Sequence, residues 1–433
     1  MVTTTAFLTM LDNTVVNVSA PSIARDLGAT LPSLQWLAVG YMLAYAGLMP
    51  AGGALADRYG QARLLRAGLA VFTAASLAAG LAGGSGTLIA GRAAQGTGAA
   101  LLVPAALAIA TAGDERDRMR ATAAWTAAGA VALAAGPVLG GAISQHWGWR
   151  WIFLLNVPVG LAAFAAAGWL ADGRRHGPAA ALDLPGMAVC TLGLCSVAYL
   201  LIGGPGRQWA AVATVAAAAV LVAVERRARQ PMLDPRLFRR PVFAGGLAVQ
   251  VLWGLCVTGA SFYTALYLQQ TRGYPPVVAG AAFLPVAVAV ALGAPLAPVL
   301  VRRHGPSRTV AAGLVLVAAG LAGVAVAGAA AGLPVLLAAL FVVGFGSALT
   351  VPLTAVVLAD APPDRAGVAA AVLGTAREFS GVLGVGGLGV LVSAGHGLAR
   401  GYPLGLAAAA ALALAAAYVG ARTLPGTAAT SAT

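Results

Sequence analysis

Two ionisable side chains stand where an apolar chain tolerates them least. Asp12 lies near the middle of an apolar run over about residues 2–23, and Arg92 lies inside another over about 86–111. An isolated carboxylate or guanidinium in hydrocarbon is expensive, so each needs a partner, a carbonyl or cavity water. They are natural partners for each other, and Gln95, one turn from Arg92, extends the pair towards a network. Two readings stay open for each ion. Asp12 either handles a proton or is permanently protonated and hydrogen-bonded; Arg92 either couples to it or braces helix packing. Thr5, Thr9 and Asp12 follow helical spacing, with Ser19 further along that face, so this polar stripe lines something other than lipid. Asn13 and Asn17 on the same helix join Gln95 as candidate cavity contacts.

A second charged pair, Arg377 and Glu378, interrupts an apolar run near residues 366–394. Adjacent helical residues diverge by about 100°, so the two cannot simply pair with each other. Glu378 reads either as a second proton or cation site or as a residue reaching towards the cytoplasmic surface. Gln250, Trp253, Ser261, Tyr263 and Tyr267 share one further run and are candidate cavity contacts or interface anchors. Nothing accompanies these residues that would support covalent or metal chemistry. The histidines (His146, His176, His304, His396) fall in separate loops, no HExxH or GxSxG pattern occurs, and Cys190, Cys195 and Cys256 lack paired spacing. No catalytic residue, metal site or cofactor is expected.

These residues must be positioned by membrane-spanning helices. The 433 residues are 60% hydrophobic and 9% charged, too apolar for one soluble core. Stretches of about 20 apolar residues recur from end to end, which fits helices crossing a bilayer. The spacing predicts spans near 2–23, 33–56, 63–83, 86–111, 121–143, 152–171, 187–204, 208–224, 243–269, 277–301, 309–329, 333–358, 366–394 and 403–421. That is fourteen, or twelve if the Ala-rich 208–224 stretch does not cross. The chain begins almost inside its first span, which reads as an uncleaved signal-anchor.

The charge of +13 comes from 26 arginines and no lysine. Nineteen fall in alternate loops (58–66, 116–120, 174–175, 226–240, 302–308) and at Arg365 and Arg422, whereas the intervening loops hold five. The positive-inside rule then puts both termini in the cytoplasm. Scattered short basic loops with no aromatic stripe exclude a nucleic-acid surface.

The chain also echoes itself. Gly96-Thr-Gly-Ala-Ala-Leu-Leu-Val-Pro104 returns as Gly344-Phe-Gly-Ser-Ala-Leu-Thr-Val-Pro352, and the loop from Gly53 to Arg63 returns more faintly from Pro298 to Arg308. The offsets are 248 and 245 residues. Two parallel six-helix halves separated by a pair of inserted helices account for both. Expected boundaries are 1–171 for the first bundle, 172–242 for the inserted helices and linkers, 243–421 for the second bundle and 422–433 for a cytoplasmic tail. Arg92 and Gln95 map onto Leu340 and Val343, so the charged machinery is expected in the first half alone.

With these residues in view, the chain resembles the fourteen-helix drug:proton antiporter branch of the major facilitator superfamily over nearly its whole length. The resemblance rests on Leu11-Asp-Asn-Thr-Val-Val-Asn17 with Pro21, on Gly53 to Arg63, and on Arg92 to Gly98. It rests also on Gly136-Pro137 with Gly140-Gly141, and on Trp149-Arg-Trp-Ile-Phe-Leu-Leu-Asn-Val-Pro158. It implies an all-α polytopic membrane protein of the major facilitator fold, working in the bacterial inner (cytoplasmic) membrane as a secondary transporter and not an enzyme. It implies proton coupling at Asp12, a gate loop at Gly53, Asp57, Arg58 and Gly60, and an exporter signature at Gly136, Pro137, Gly140 and Gly141. Asp57 is expected to cap a neighbouring helix or pair with arginine, and Gly60 to permit a tight turn. The family pattern departs at Gln61 and Ala62, where basic residues are usual, and at Ala132, where glycine is usual. The implied activity is proton-driven export of drug-like or antibiotic-like small molecules, with the proton gradient in place of a cofactor. Implied partners are the small-molecule substrate, protons and the lipid bilayer, for a monomer that binds no nucleic acid. A nutrient symporter is the alternative within transport; a membrane sensor or enzyme is the alternative outside it.

Overall fold

A computed structural model describes residues 2–110, 114–169, 184–227, 235–330, 332–362, 365–395 and 397–426. The expected boundary at 171/172, the linker arginines Arg174 and Arg175, His176, Arg229, His396 and residues 427–433 of the tail lie outside the described residues. All regular elements among the described residues are helices, which in hydrocarbon satisfy every backbone hydrogen bond internally.

The chain divides into two compact units, one comprising Met1–Met232 with Leu268–Ala281 and the other Leu233–Tyr267 with Ala282–Thr433. In the first unit, α1 (Val2–Leu27), α2 (Leu31–Tyr59), α3 (Gln61–Gly80), α4 (Ser85–Ala110) and α5 (Glu115–His146) are followed by the short α6 (Arg150–Leu154) and α7 (Asn156–Ala167). Then come α8 (Leu184–Ile202) and α9 (Arg207–Arg227). In the second unit lie α10 (Pro235–Phe238) and α11 (Pro241–Leu266). A π-helical turn at Tyr267–Thr271 leads to α12 (Pro276–Ala281), which groups with the first unit; α13 (Leu284–Gly293), α14 (Leu296–Ala330), α15 (Leu333–Leu349), α16 (Pro352–Asp360), α17 (Ala366–Ala394) and α18 (Leu398–Thr423) complete the second.

Among the described residues thirteen helical stretches are long and apolar enough to cross a membrane, including Arg207–Arg226, the stretch whose crossing the sequence left open. The expected fourteenth is α1, 26 residues long but not among the thirteen. Its threonines, Asp12, Asn13 and Asn17 dilute its apolarity, and its most polar groups are buried against neighbouring helices instead of meeting lipid.

Several predicted spans are interrupted where a proline cannot donate to the carbonyl four residues earlier. Pro158 frees Leu154 between α6 and α7, Pro285 frees Ala281 between α12 and α13, and Pro352 frees Ala348 between α15 and α16. The helical run of α14 is broken at Gly305, whose φ of 83° and ψ of 161° are not helical.

The internal repeat is visible in matched backbone contacts. In the first unit, a Cβ on Gly96 would strike the carbonyl of Tyr41, one on Gly98 the backbone of Phe72, and one on Gly68 the backbone of Gly98 and Leu102. About 245 residues later Gly344 meets Val286, Gly346 meets Val317, and Gly313 meets Gly346 and Leu349. Gly60 and Gly305, also 245 apart, both adopt positive φ, 99° and 83°. These close approaches put α4 onto α2 and α3, and α15 onto α13 and α14. The inserted α8 lies on α2, where Thr191 crowds Gly47, and α9 packs on α8.

Candidate functional site

In the first unit, the glycine-spaced face of α4 lets α2 approach closely enough for Arg92 to reach the carbonyl of Leu37 through Nε, at 3.4 Å. Arg92 Nη1 donates to Asp12 Oδ2 and, at 3.0 Å, to Gln95 Oε1. Gln95 Nε2 donates to Asp12 Oδ1 at 3.1 Å and to Ser76 Oγ at 2.8 Å, and Asn156 Nδ2 donates to Asp12 Oδ1 at 2.8 Å. The Ser76 hydroxyl in turn donates to Phe72 O at 2.7 Å. The guanidinium lies 4.5 Å from the ring centre of Tyr41 and 6.0 Å from that of Phe153. Arg92 and Gln95 are fully buried and Asp12 nearly so.

The arrangement is chemically definite. Asp12 is anchored by three donors from two helices, α4 twice and α7 once, so its charge state is read by side chains on both. Protonating it would cancel the charge that balances Arg92 and turn one of its two acceptor oxygens into a donor, weakening its hold on Arg92, Gln95 and Asn156. Arg92 keeps Nη2 without a hydrogen-bond partner, a free donor within the network. The sequence brought Asp12, Arg92 and Gln95 together correctly, but Asn156, Ser76, Tyr41 and Phe153 were not singled out. Asn156 had a signal, since it is the one amide inside the Trp149–Pro158 motif. The break at Leu155 makes it the first residue of α7 and turns it towards Asp12.

Elsewhere on α1, the polar stripe is used for packing. Thr9 bonds back to Thr5 O at 2.9 Å, and Ser144 on α5 donates to Ser19 Oγ at 2.7 Å. Asn13 and Asn17 are partly accessible. The glycines of α5 form a seam. A Cβ on Gly136 would collide with Thr14 and one on Gly140 with the Val15 carbonyl, while one on Gly141 would meet Pro276 and one on Gly280 the Pro137 carbonyl. Thus α5 is clasped by α1 on one side and by α12 on the other, with Val277 N donating to Gln145 Oε1 at 3.2 Å. The helix runs unbroken through Pro137.

The gate loop differs in part from expectation. Gly60 makes the predicted turn, and Gly53 has open space around it. Asp57 caps nothing and, among the described residues, makes no hydrogen bond or ion pair; it is exposed in the last turn of α2, with Arg58 lying over Tyr59 at 5.5 Å.

In the second unit, Leu340 and Val343 are buried and apolar, so among the described residues these positions carry no counterpart of Arg92 and Gln95. Tyr263, expected in a cavity, is instead 1% exposed, and its hydroxyl donates to Val385 O at 2.7 Å, tying α11 to α17. Tyr267 likewise stacks on Tyr402 at 4.3 Å. Trp253 Nε1 donates to Ser347 Oγ at 3.3 Å, and Gln250 is buried on the same helix. Glu378 is partly accessible in mid-α17 and, among the described residues, makes no hydrogen bond or ion pair; Arg377 beside it is exposed.

Comparison with known proteins agrees with this architecture. The family model described as Major Facilitator Superfamily matches residues 2–385. The chain is 33% identical over 393 residues to the tetracenomycin C resistance and export protein of Streptomyces glaucescens, covering 88% of this chain and 73% of that protein. It is 35% identical to a puromycin resistance protein of Streptomyces alboniger, with 87% and 78% covered, and 36% identical to a cephamycin export protein of Amycolatopsis lactamdurans, with 88% and 82% covered. Its fold is similar to that of a D-xylose-proton symporter at a TM-score of 0.70 and 15% identity, covering 98% and 97% of the two chains. A bacterial homologue of the lysosomal transporter Spinster gives 0.71 at 16% identity, with 98% and 96% covered. A multi-pass helical chain, repeated in two halves and matched by this model over most of its length, belongs to the Major Facilitator Superfamily of membrane transporters.

Proposed function

We propose that the protein exports antibiotic-like small molecules across the bacterial cytoplasmic membrane in exchange for protons. Both termini are cytoplasmic in this reading, the transporter works as a monomer, and it alternates between two access states. The observation that carries the proposal is the buried Asp12–Arg92–Gln95–Asn156 network. One carboxyl sits at the junction of α1, α4 and α7, gripped by donors whose hold weakens when it takes a proton. Such a junction links protonation to helix arrangement, which is what coupling requires. The resistance and export proteins named above support the substrate class and the outward direction, as does the α5 glycine seam. Glu378 provides a second ionisable position, in the other unit, for a proton or a cationic substrate group.

The test is drug accumulation in cells stripped of their own exporters. Cells making the protein should hold less of a transported antibiotic than cells making Asp12→Asn, and a protonophore should erase the difference. Lower accumulation that survives the protonophore but responds to sodium would contradict proton coupling. Higher accumulation in cells making the protein would point to uptake instead.

A further inference from the structure

At the end of the first unit remote from Gly60, the ends of α1 and α5 and the start of α6 line an open cleft of about 560 Å³. Three tryptophans and three charged groups line it. Asp26 is already committed: its Oδ2 accepts from Trp149 Nε1 at 2.9 Å and from Arg150 Nη1 at 2.6 Å. Arg150 also donates to Ala82 O at 3.3 Å and lies over the Trp149 ring at 4.4 Å. Arg25 is not committed. Among the described residues its polar contact is Ser22 Oγ at 3.3 Å, and it meets no carboxylate. The indole N–H groups of Trp147 and Trp151 have no hydrogen-bond partner among the described residues, and the two side chains are 67% and 48% exposed. The lining thus carries one net positive charge and three donors in search of an acceptor.

An apolar track leaves this cleft. Trp151, Leu155 and Val159 follow each other at helical spacing along α6 and α7, and all three are exposed, at 48%, 43% and 40%. They run from the mouth of the cleft down the span. A ligand matching both features has an anionic head rich in acceptor oxygens and a hydrocarbon tail. Tryptophan and arginine at the boundary of a span also belong to the headgroup level of a bilayer.

We propose that this cleft is a binding site for one anionic phospholipid, its phosphodiester held by Arg25 and the two free indoles and an acyl chain laid along Trp151, Leu155 and Val159. The Asp26–Arg150 pair shapes the floor and prevents Asp26 from repelling the phosphate. The site is independent of whatever the transporter carries.

The test is native mass spectrometry of the full-length purified protein with phosphatidylglycerol or phosphatidylcholine. Wild type should retain phosphatidylglycerol in preference to phosphatidylcholine. Arg25→Gln should weaken phosphatidylglycerol about fivefold, the weight of one arginine at an anionic surface, and Arg25→Lys should keep most of the affinity. Trp147→Ala with Trp151→Ala should weaken both lipids. Equal retention of the two lipids by wild type, or unchanged phosphatidylglycerol retention in an Arg25→Gln protein of wild-type melting temperature, would overturn the proposal. Displacement by inorganic phosphate at matched concentration would show a free-anion site instead, and displacement by a transported drug would show a substrate site. Either result would overturn it too.

Discussion

At the scale of single residues, the account turns on a carboxylate whose every oxygen is engaged. Asp12→Asn removes the charge that balances Arg92 in a fully buried setting, and breaking one side of such a pair costs about 3–5 kcal/mol. The variant should melt well below wild type, and Asp12→Asn combined with Arg92→Gln should recover much of the loss without recovering transport. A single variant as stable as wild type would mean that the pair is held in water rather than protein. Asn156→Leu should cost about 1–3 kcal/mol, because Asp12 Oδ1 loses one of two donors. Asp12, Arg92 and Gln95 were legible because charge inside an apolar run has few explanations. Asn156 and Ser76 were not, since small neutral polar groups occur in many spans, and Tyr263 misled because a tyrosine's ring and hydroxyl suit a packed seam as well as a cavity.

Asp26, past the apolar run of α1, gives a pH signature of its own. The Trp149 indole N–H, followed by Arg150, holds its carboxyl below the ordinary carboxylate value. Because the folded value is depressed, the tie contributes fully above the unfolded value of about 3.9 and is lost as pH falls through the lower folded one. Tryptophan fluorescence should therefore show a transition below about pH 4 that Asp26→Asn lacks. An identical transition in that variant would assign the change to another group.

At the scale of elements, glycine sets how closely helices meet. Gly141→Leu or Gly280→Leu would wedge α5 from α12, at about 1–3 kcal/mol each, with loss of export. Gly129→Leu on the same α5 has open space around it and should stay within about 0.5 kcal/mol of wild type. Full export by the wedged variants would remove α5 from the mechanism. Gly60→Ala and Gly305→Ala should each cost about 1–2 kcal/mol through their positive φ, and should do so alike because they occupy equivalent turns. The turn at Gly60 was readable from its motif. The breaks at Leu155, at residues 282–283 and near Thr350 were not placed, because a proline inside a span either ends a helix or is carried through it. Pro104 lies inside α4, whereas its repeat partner Pro352 opens α16.

At the scale of the whole molecule, two copies of one scaffold have diverged in chemistry. The matched glycine contacts keep the helix packing within each copy alike, while Arg92 and Gln95 correspond in the repeat to Leu340 and Val343. The first copy holds the charge network, and the second offers Glu378, which among the described residues makes no hydrogen bond. The succession of membrane-length helices, the repeat and the family were legible because bilayer thickness fixes span length and arginine marks alternate loops. The grouping of Leu268–Ala281 with the first unit was not, since it depends on contacts hundreds of residues apart. The central claim is that Asp12 couples protons to export. Proton flux in proteoliposomes under an imposed pH gradient tests it most directly, with wild type and Asp12→Asn reconstituted at equal amounts. The account predicts that adding a transported antibiotic triggers proton movement in wild type and none in Asp12→Asn, while the drug still binds. Equal drug-triggered proton flux in both proteins would contradict it.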